Sequence, residues 1–184
     1  MAKDERIAEE LASQPAQIPL EVVFGKEAFQ EIINSDKYRY VGNNKCRLCH
    51  RQFFIGRNKD KHAFAMKSIV ESGHQKDEHC LSCHTTGFGI KTGFISIERT
   101  PRLANVQCEG CHGPGNVHVS QAKELSRSGK KEMVHGLLVG IDHPERLRKM
   151  CKACHTERWN RSYEDMNQSF KLYRNPDPLH HTTK

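Results

Sequence analysis

The spacing of the cysteines constrains this chain more than any other feature of its sequence. All eight cysteines fall into pairs separated by two residues, and a histidine follows the second cysteine of every pair. The four segments start at residues 46, 80, 108 and 151, so they do not form a uniform repeat. Any fold of this chain must bring two sulfur atoms and one imidazole together four times. The residues are Cys46, Cys49 and His50; Cys80, Cys83 and His84; Cys108, Cys111 and His112; and Cys151, Cys154 and His155.

The pattern C-x-x-C-H is the attachment pattern of c-type haem. In a short helix, two thiols three positions apart lie on neighbouring turns and reach the two vinyl groups of one porphyrin. The following histidine then reaches the iron as an axial ligand. Zinc sites, disulfide scaffolds and iron–sulfur clusters would explain paired cysteines, but they give no reason for the four histidines. The sequence therefore predicts four covalently attached haem c groups, with the four motif histidines as proximal ligands.

The composition agrees with an interior that side chains alone do not fill. Leu, Ile, Val and Phe make up about a fifth of the 184 residues, close to the composition of disordered chains. Haem would supply the missing apolar volume. We therefore predict a mostly α fold, with short helices and loops packed around four covalently bound c-type haems and minimal β structure. Residues 94–97 are the one short strand that the pattern favours, and no apolar run is long enough to span a membrane.

The positive charge of the chain is unevenly distributed. The formal net charge is +7, of which residues 1–40 carry −3 and residues 41–184 carry +10. Since the two propionates of a ferric haem bring its charge to about −1, the basic excess balances propionates and does not indicate a nucleic-acid partner. We expect an acidic N-terminal arm without a haem motif at 1–40, a tetrahaem core at 41–160 and a polar C-terminal tail at 161–184. The arm would wrap its own domain or dock on a neighbouring haem domain.

Helical spacing appears in several segments outside the first three motifs. Residues 4–12 and 25–33 have it in the arm, where Phe29 and Ile32 share one face of the second segment. Residues 144–155 would begin with a proline in the first turn and run into the fourth motif. The Gly-Pro-Gly sequence at 113–115 should end the helix of the third motif.

Eight histidines lie outside the motifs, and four haems with two histidine ligands each would need four of them. His62 is the best candidate because it lies on the same helical face as Met66 and Ile69. His118 follows the third motif by six residues, across the Gly-Pro-Gly turn, and should face another haem. The further candidates are His143, His180 and His181. His79 is poorly placed for its own haem, and His74 and His135 lie in polar segments.

Three local sequences resemble one known family. They are residues 106–115, which read VQCEGCHGPG, residues 80–89 with the pattern C-x-x-C-H-x-x-G-F-G, and residues 61–66, which read KHAFAM. Together they are similar to the tetrahaem cytochrome c-554 family of ammonia oxidisers. The likeness extends over residues 41–158 and includes all four motifs in order. The acidic arm is additional, and the C-terminal region is shorter than in the family.

The resemblance implies a mostly helical fold with haems in close stacked pairs, and electron transfer as the activity. It implies His62 as the distal ligand of the third haem and His118 as that of the first. A histidine near the C-terminus, His180 or His181 here, would complete the fourth haem. The family's second haem has no distal histidine, a position that His143 or another spare histidine would fill in this chain.

The predicted function is electron transport through four closely packed, mostly bis-histidine haems, without enzymatic activity. Two ligands on each iron leave no open position for a substrate. A subunit of an extracellular cytochrome filament is one alternative, suggested by the acidic arm and the terminal histidine pair, and a reductase with an open five-coordinate haem is another. The partners would be a redox protein donor and acceptor. Because these thioethers are made outside the cytoplasm, we expect a periplasmic or extracellular protein whose signal peptide has been removed.

Overall fold

The computed structural model describes residues 15–57, 60–129 and 144–156. Short helices make up most of these residues. The α-helices are α1 (Pro19–Phe24), α2 (Lys26–Asn34), α3 (Asn43–Cys46), α4 (Arg51–Arg57), α5 (Ala65–Glu71), α6 (Glu78–His84), α7 (Cys108–His112), α8 (Asn116–Ser128) and α9 (Pro144–Cys154). Two 3-10 helices, Lys61–Phe64 and Pro101–Leu103, complete the set. The predicted mostly α class is confirmed.

The strand predicted at residues 94–97 is wrong. No β-strand is present within the described ranges, where β pairing is limited to one antiparallel bridge between Thr85 and Ala104. The segment turns back on itself, because the amide of Ile95 donates to Thr100 Oγ1 and the amide of Thr100 donates to the Ser96 carbonyl. The apolar residues of this segment are therefore part of a turn, and the Phe94 side chain is buried.

The end of the arm folds onto the haem-motif region. Pro19 occupies the first turn of α1, where its missing N–H costs no hydrogen bond, and α1 packs against α9. The helix predicted at 25–33 is confirmed as α2, and its Phe29 and Ile32 are buried. Residues 19–34 therefore pack against their own chain. The helix predicted at 4–12 lies outside the described residues.

Each haem motif lies on or beside a short helix. The first follows α3, and the amide of His50 donates to the Cys46 carbonyl at 2.9 Å. The second lies on α6, which begins where the Asp77 side chain accepts the His79 amide. The third occupies α7, which ends as predicted at Gly113 with a φ of +79°. The fourth runs along α9.

Apolar residues near the second motif form a compact core beneath a glycine-rich turn. Leu103 has 0% exposure and Phe94 has 3%. The turn between Gly87 and Gly93 closes with hydrogen bonds to and from Ile90. A Cβ atom added to Gly93 would overlap the backbone of Gly87, so the backbone segments on the two sides of this turn are in direct contact. No helix in the described part of the chain has the length and apolar character that crossing a bilayer requires.

This close approach makes Gly93 a sensitive position. We expect Gly93→Ala to lower the free energy of unfolding by about 1–3 kcal/mol, because the added methyl group forces the turn apart. Gly56→Ala is the control, since Gly56 lies in α4 with nothing within 4 Å of an added Cβ atom. Guanidinium unfolding of the two haem-loaded variants measures the difference. Equal stabilities would contradict the packing of this turn.

Candidate haem sites

The four motifs lie close together, as their cysteine thiols show. A hydrogen bond links Cys46 to Cys108, so that the pKa of Cys46 is raised and that of Cys108 is lowered to about 7. A second hydrogen bond links Cys83 to Cys154. The first motif thus adjoins the third, and the second adjoins the fourth.

The third and fourth motifs are also neighbours. Helices α7 and α9 are in contact. Burial, and then the nearby Cys111 thiol, raise the pKa of Cys151 to about 12. The motifs therefore follow one another in space in the order first, third, fourth and second, which differs from their order in the sequence.

Two pairs of histidine rings from distant parts of the chain lie close together. The rings of His50 and His118 have centres 6.1 Å apart and planes inclined by 22°. His118 lies in the first turns of α8, directly after the Gly-Pro-Gly turn. The sequence predicts that His118 serves the haem of a different motif. Its ring lies near His50 of the first motif, and the ligand role itself stays a prediction.

His62 lies close to His155 of the fourth motif. Their Nε2 atoms are 3.4 Å apart and their ring centres 5.6 Å apart. This differs from the expectation that His62 serves the third haem, because the 3-10 helix that carries His62 brings its ring to the end of α9. Met66 and Ile69, which the sequence places on the same helical face, are buried.

Both pairs fit an iron with two axial imidazoles. With a metal–imidazole bond of about 2 Å on each side, the nitrogens lie about 4 Å apart and the ring centres about 6 Å apart. The observed separations are close to these values. Apolar side chains remain exposed from the first motif to the end of the 3-10 helix that carries His62, which suits contact with a porphyrin face. They are Leu48, Phe53, Ile55 and Phe64.

Hydrogen bonds determine which ring nitrogen carries the proton in two of the histidines. His62 Nδ1 lies 3.0 Å from Asp60 Oδ1, and His84 Nδ1 lies 2.7 Å from the Ala65 carbonyl oxygen. A carboxylate and a carbonyl accept hydrogen bonds and do not donate them, so each Nδ1 carries the proton. Each Nε2 then keeps its lone pair for a metal, the arrangement typical of metal-binding histidines.

The carboxylate of Glu109 joins the first and third motifs. This residue lies between the two cysteines of the third motif and is only 2% exposed. Its oxygens accept hydrogen bonds from the amides of Val41, Gly42 and Gly115, with distances of 2.6 to 3.1 Å. Burial raises the pKa of Glu109, and the three amides oppose that shift. The carboxylate thus holds the chain before the first motif against the turn after the third.

His143, His180 and His181 lie outside the described residues, so their roles stay predictions. His74 is exposed, as expected for a histidine in a polar segment. Sequence reasoning missed Asp60 and Glu109. The spacing of Asp60 two residues before His62 was a usable signal, whereas nothing in the sequence marks Glu109 as buried.

Comparison with known proteins finds one family and one relative that match part of this chain. Residues 45–113 match the family described as cytochrome c554 and c-prime, a range that contains the first three motifs. Cytochrome c-554 of Nitrosomonas europaea is 30% identical over 136 residues, which is 63% of this chain and 57% of that protein. The match therefore spans little more than half of that relative's length. No solved structure matches the chain.

The role of Glu109 predicts a loss of stability when its charge is removed. Glu109→Gln replaces one acceptor oxygen by an NH₂ group that faces a backbone N–H. We expect the free energy of unfolding to fall by about 1–3 kcal/mol, the cost of one unsatisfied buried donor. The exposed Glu124 supplies the control, because Glu124→Gln should change stability by less than about 0.5 kcal/mol. Indistinguishable unfolding midpoints for the two variants would rule out this role.

Proposed function

We propose that this chain, whose residues 45–113 match the cytochrome c554 and c-prime family, is an electron-transfer protein carrying four haem c groups. The single observation that supports this most directly is the facing of His62 and His155 across a gap of 3.4 Å. Two imidazoles from segments 93 residues apart lie at nearly the separation that a shared iron requires. The eight cysteines in C-x-x-C-H pairs account for four attachment sites.

His50 with His118, and His62 with His155, would each hold a haem iron through two imidazoles, which would leave no ligand position for a substrate. When bound, each haem supplies a one-electron Fe³⁺/Fe²⁺ couple. The chain holds the ligands of that couple in place, because His62 is oriented by Asp60 and its partner His155 lies at the end of α9. Ligands that stay in place in both oxidation states favour rapid electron transfer, and they make the protein an electron carrier.

The contacts between motifs support a path for electrons. The thiols of the first and third motifs are hydrogen-bonded, and so are those of the second and fourth. Cys111 lies near Cys151, which joins these two halves. Since each thiol binds the edge of its own haem, adjacent thiols imply adjacent haem edges. We propose that electrons pass along the order first, third, fourth and second motif, between a protein donor and a protein acceptor.

The same proposal includes where the protein works and that the remaining haem irons have no open position for a substrate. Covalent haem c attachment supports a protein that works outside the cytoplasm, in the periplasm. Among the described residues nothing favours a filament, since residues 19–24 of the arm pack on α9 of their own chain. Nothing in them favours a reductase either.

Four haems per chain is a countable prediction. The intact mass of the purified protein should exceed that of the polypeptide by four haem groups. Replacing Cys108 and Cys111 by Ala should reduce this to three, because each motif binds its own haem. Zinc in the purified protein, with fewer than four haems, would refute the assignment.

The proposed ligation predicts a spectroscopic change at one haem. His62→Gly removes one axial imidazole, so one ferric haem should change from low-spin to high-spin in electron paramagnetic resonance. His74→Gly is the matched control, since His74 is exposed and faces Asp77 instead of a motif histidine. A spectrum of His62→Gly identical to that of the unmodified protein would show that His62 is not a ligand.

A further inference from the structure

The carboxylate of Asp60 is built into the haem site more firmly than a surface aspartate would be. Its Oδ1 accepts from the amide of His62 and lies 3.0 Å from Nδ1 of the same residue. Its Oδ2 pairs with Arg57 at 2.7 Å. The side chains of Asp60 and Arg57 are only 17% and 13% exposed. The carboxylate is therefore largely shielded from water and held from two sides.

Arg57 fixes this carboxylate to the rest of the fold. Its guanidinium also donates to the backbone carbonyl of Val106, just before the third motif. The amide of Val106 in turn donates to the carbonyl of His62. Asp60 and His62 are thus tied to the segment that enters α7, and the ring of His62 has little freedom to rotate.

The neighbouring second motif offers a natural comparison. The Nδ1 atom of His84 donates to the uncharged carbonyl of Ala65, while Ser68 Oγ lies 3.3 Å away. Of these two rings, the one that donates to a carboxylate is that of His62. A negatively charged acceptor makes an imidazole a more basic ligand, because it stabilises partial positive charge on the ring. A more basic ligand stabilises ferric over ferrous iron.

We propose that Asp60 is a positioning residue that lowers the reduction potential of the haem shared by His62 and His155. This inference rests on the proposed function, because it needs His62 as an iron ligand. The reduction takes up one electron and no proton, since Nδ1 keeps its proton in both states. Asp60 orients the imidazole and strengthens its donation to the iron. The haem that Asp60 supports would therefore release its electron to its neighbours more readily.

Asp60→Asn removes the charge of this carboxylate, and it also places an NH₂ group where Oδ2 accepts from Arg57. Asparagine caps a helix about as well as aspartate and still offers an oxygen to His62. We expect the His62 haem to stay low-spin, while its ratio of reduced to oxidised iron at a given potential rises about tenfold. For one electron this is a shift of about 59 mV to more positive potential. A redox titration followed by electron paramagnetic resonance measures it.

The signal of this haem is identified through His62→Gly, which should make it high-spin. Asp77→Asn is the matched control, because Asp77 caps α6 in the same way and accepts the amide of His79 at 2.9 Å. It lies beside the second motif, so its loss should leave the potential of the His62 haem unchanged. Asp60→Glu keeps the charge and should give a potential between those of the unmodified protein and Asp60→Asn.

The outcomes separate the inference from the function on which it rests. An unchanged potential in Asp60→Asn, with His62→Gly showing the high-spin conversion, would overturn the role of Asp60 alone. An equal shift of the His62 haem in Asp77→Asn would also overturn it, because the effect would then be a general loss of negative charge. No conversion in His62→Gly would refute the proposed ligation, and this inference with it.

Discussion

An iron with two histidine ligands requires two imidazoles from separate parts of the chain to face each other at a defined distance. In this structure two pairs of rings lie close together, His50 with His118 and His62 with His155, and we propose that each pair holds an iron. Each pair links segments that are far apart in the sequence, so the backbone between them must fold to meet this requirement. The short helices, the turn after the third motif and the contact between α7 and α9 all serve that purpose. A chain with so little apolar side-chain volume depends on these links to hold a compact form.

Two carboxylates that are largely shielded from water hold other parts of the haem-motif region in place. The carboxylate of Glu109 accepts hydrogen bonds from three backbone amides in two segments. The carboxylate of Asp60 contacts both the ring of His62 and the guanidinium of Arg57. Both carboxylates are partly or fully removed from water. They differ in what they hold, since Glu109 fixes backbone and Asp60 fixes a ring. One carboxylate thus supports the fold, and the other is proposed to tune the redox chemistry.

The motifs and most helices could be predicted from the sequence because they depend on local spacing. The pattern at 25–33 produced α2, and the Gly-Pro-Gly turn ended α7. The strand at residues 94–97 was wrong because the Thr100 hydroxyl captures the amide of Ile95, a tertiary choice that alternation does not reveal. The partner of His62 and the burial of Glu109 also depend on contacts between distant segments. Local patterns mark candidate ligands, but they do not tell which of these residues meet in the fold.

The central claim is that these facing histidines share iron atoms. The most direct test is a diffraction map of the haem-loaded protein, calculated from anomalous scattering at the iron absorption edge. We expect four iron peaks per chain, one of them between His62 and His155 and another between His50 and His118. A map with no iron between His62 and His155, or with metal bound by the cysteine sulfurs themselves, would contradict it.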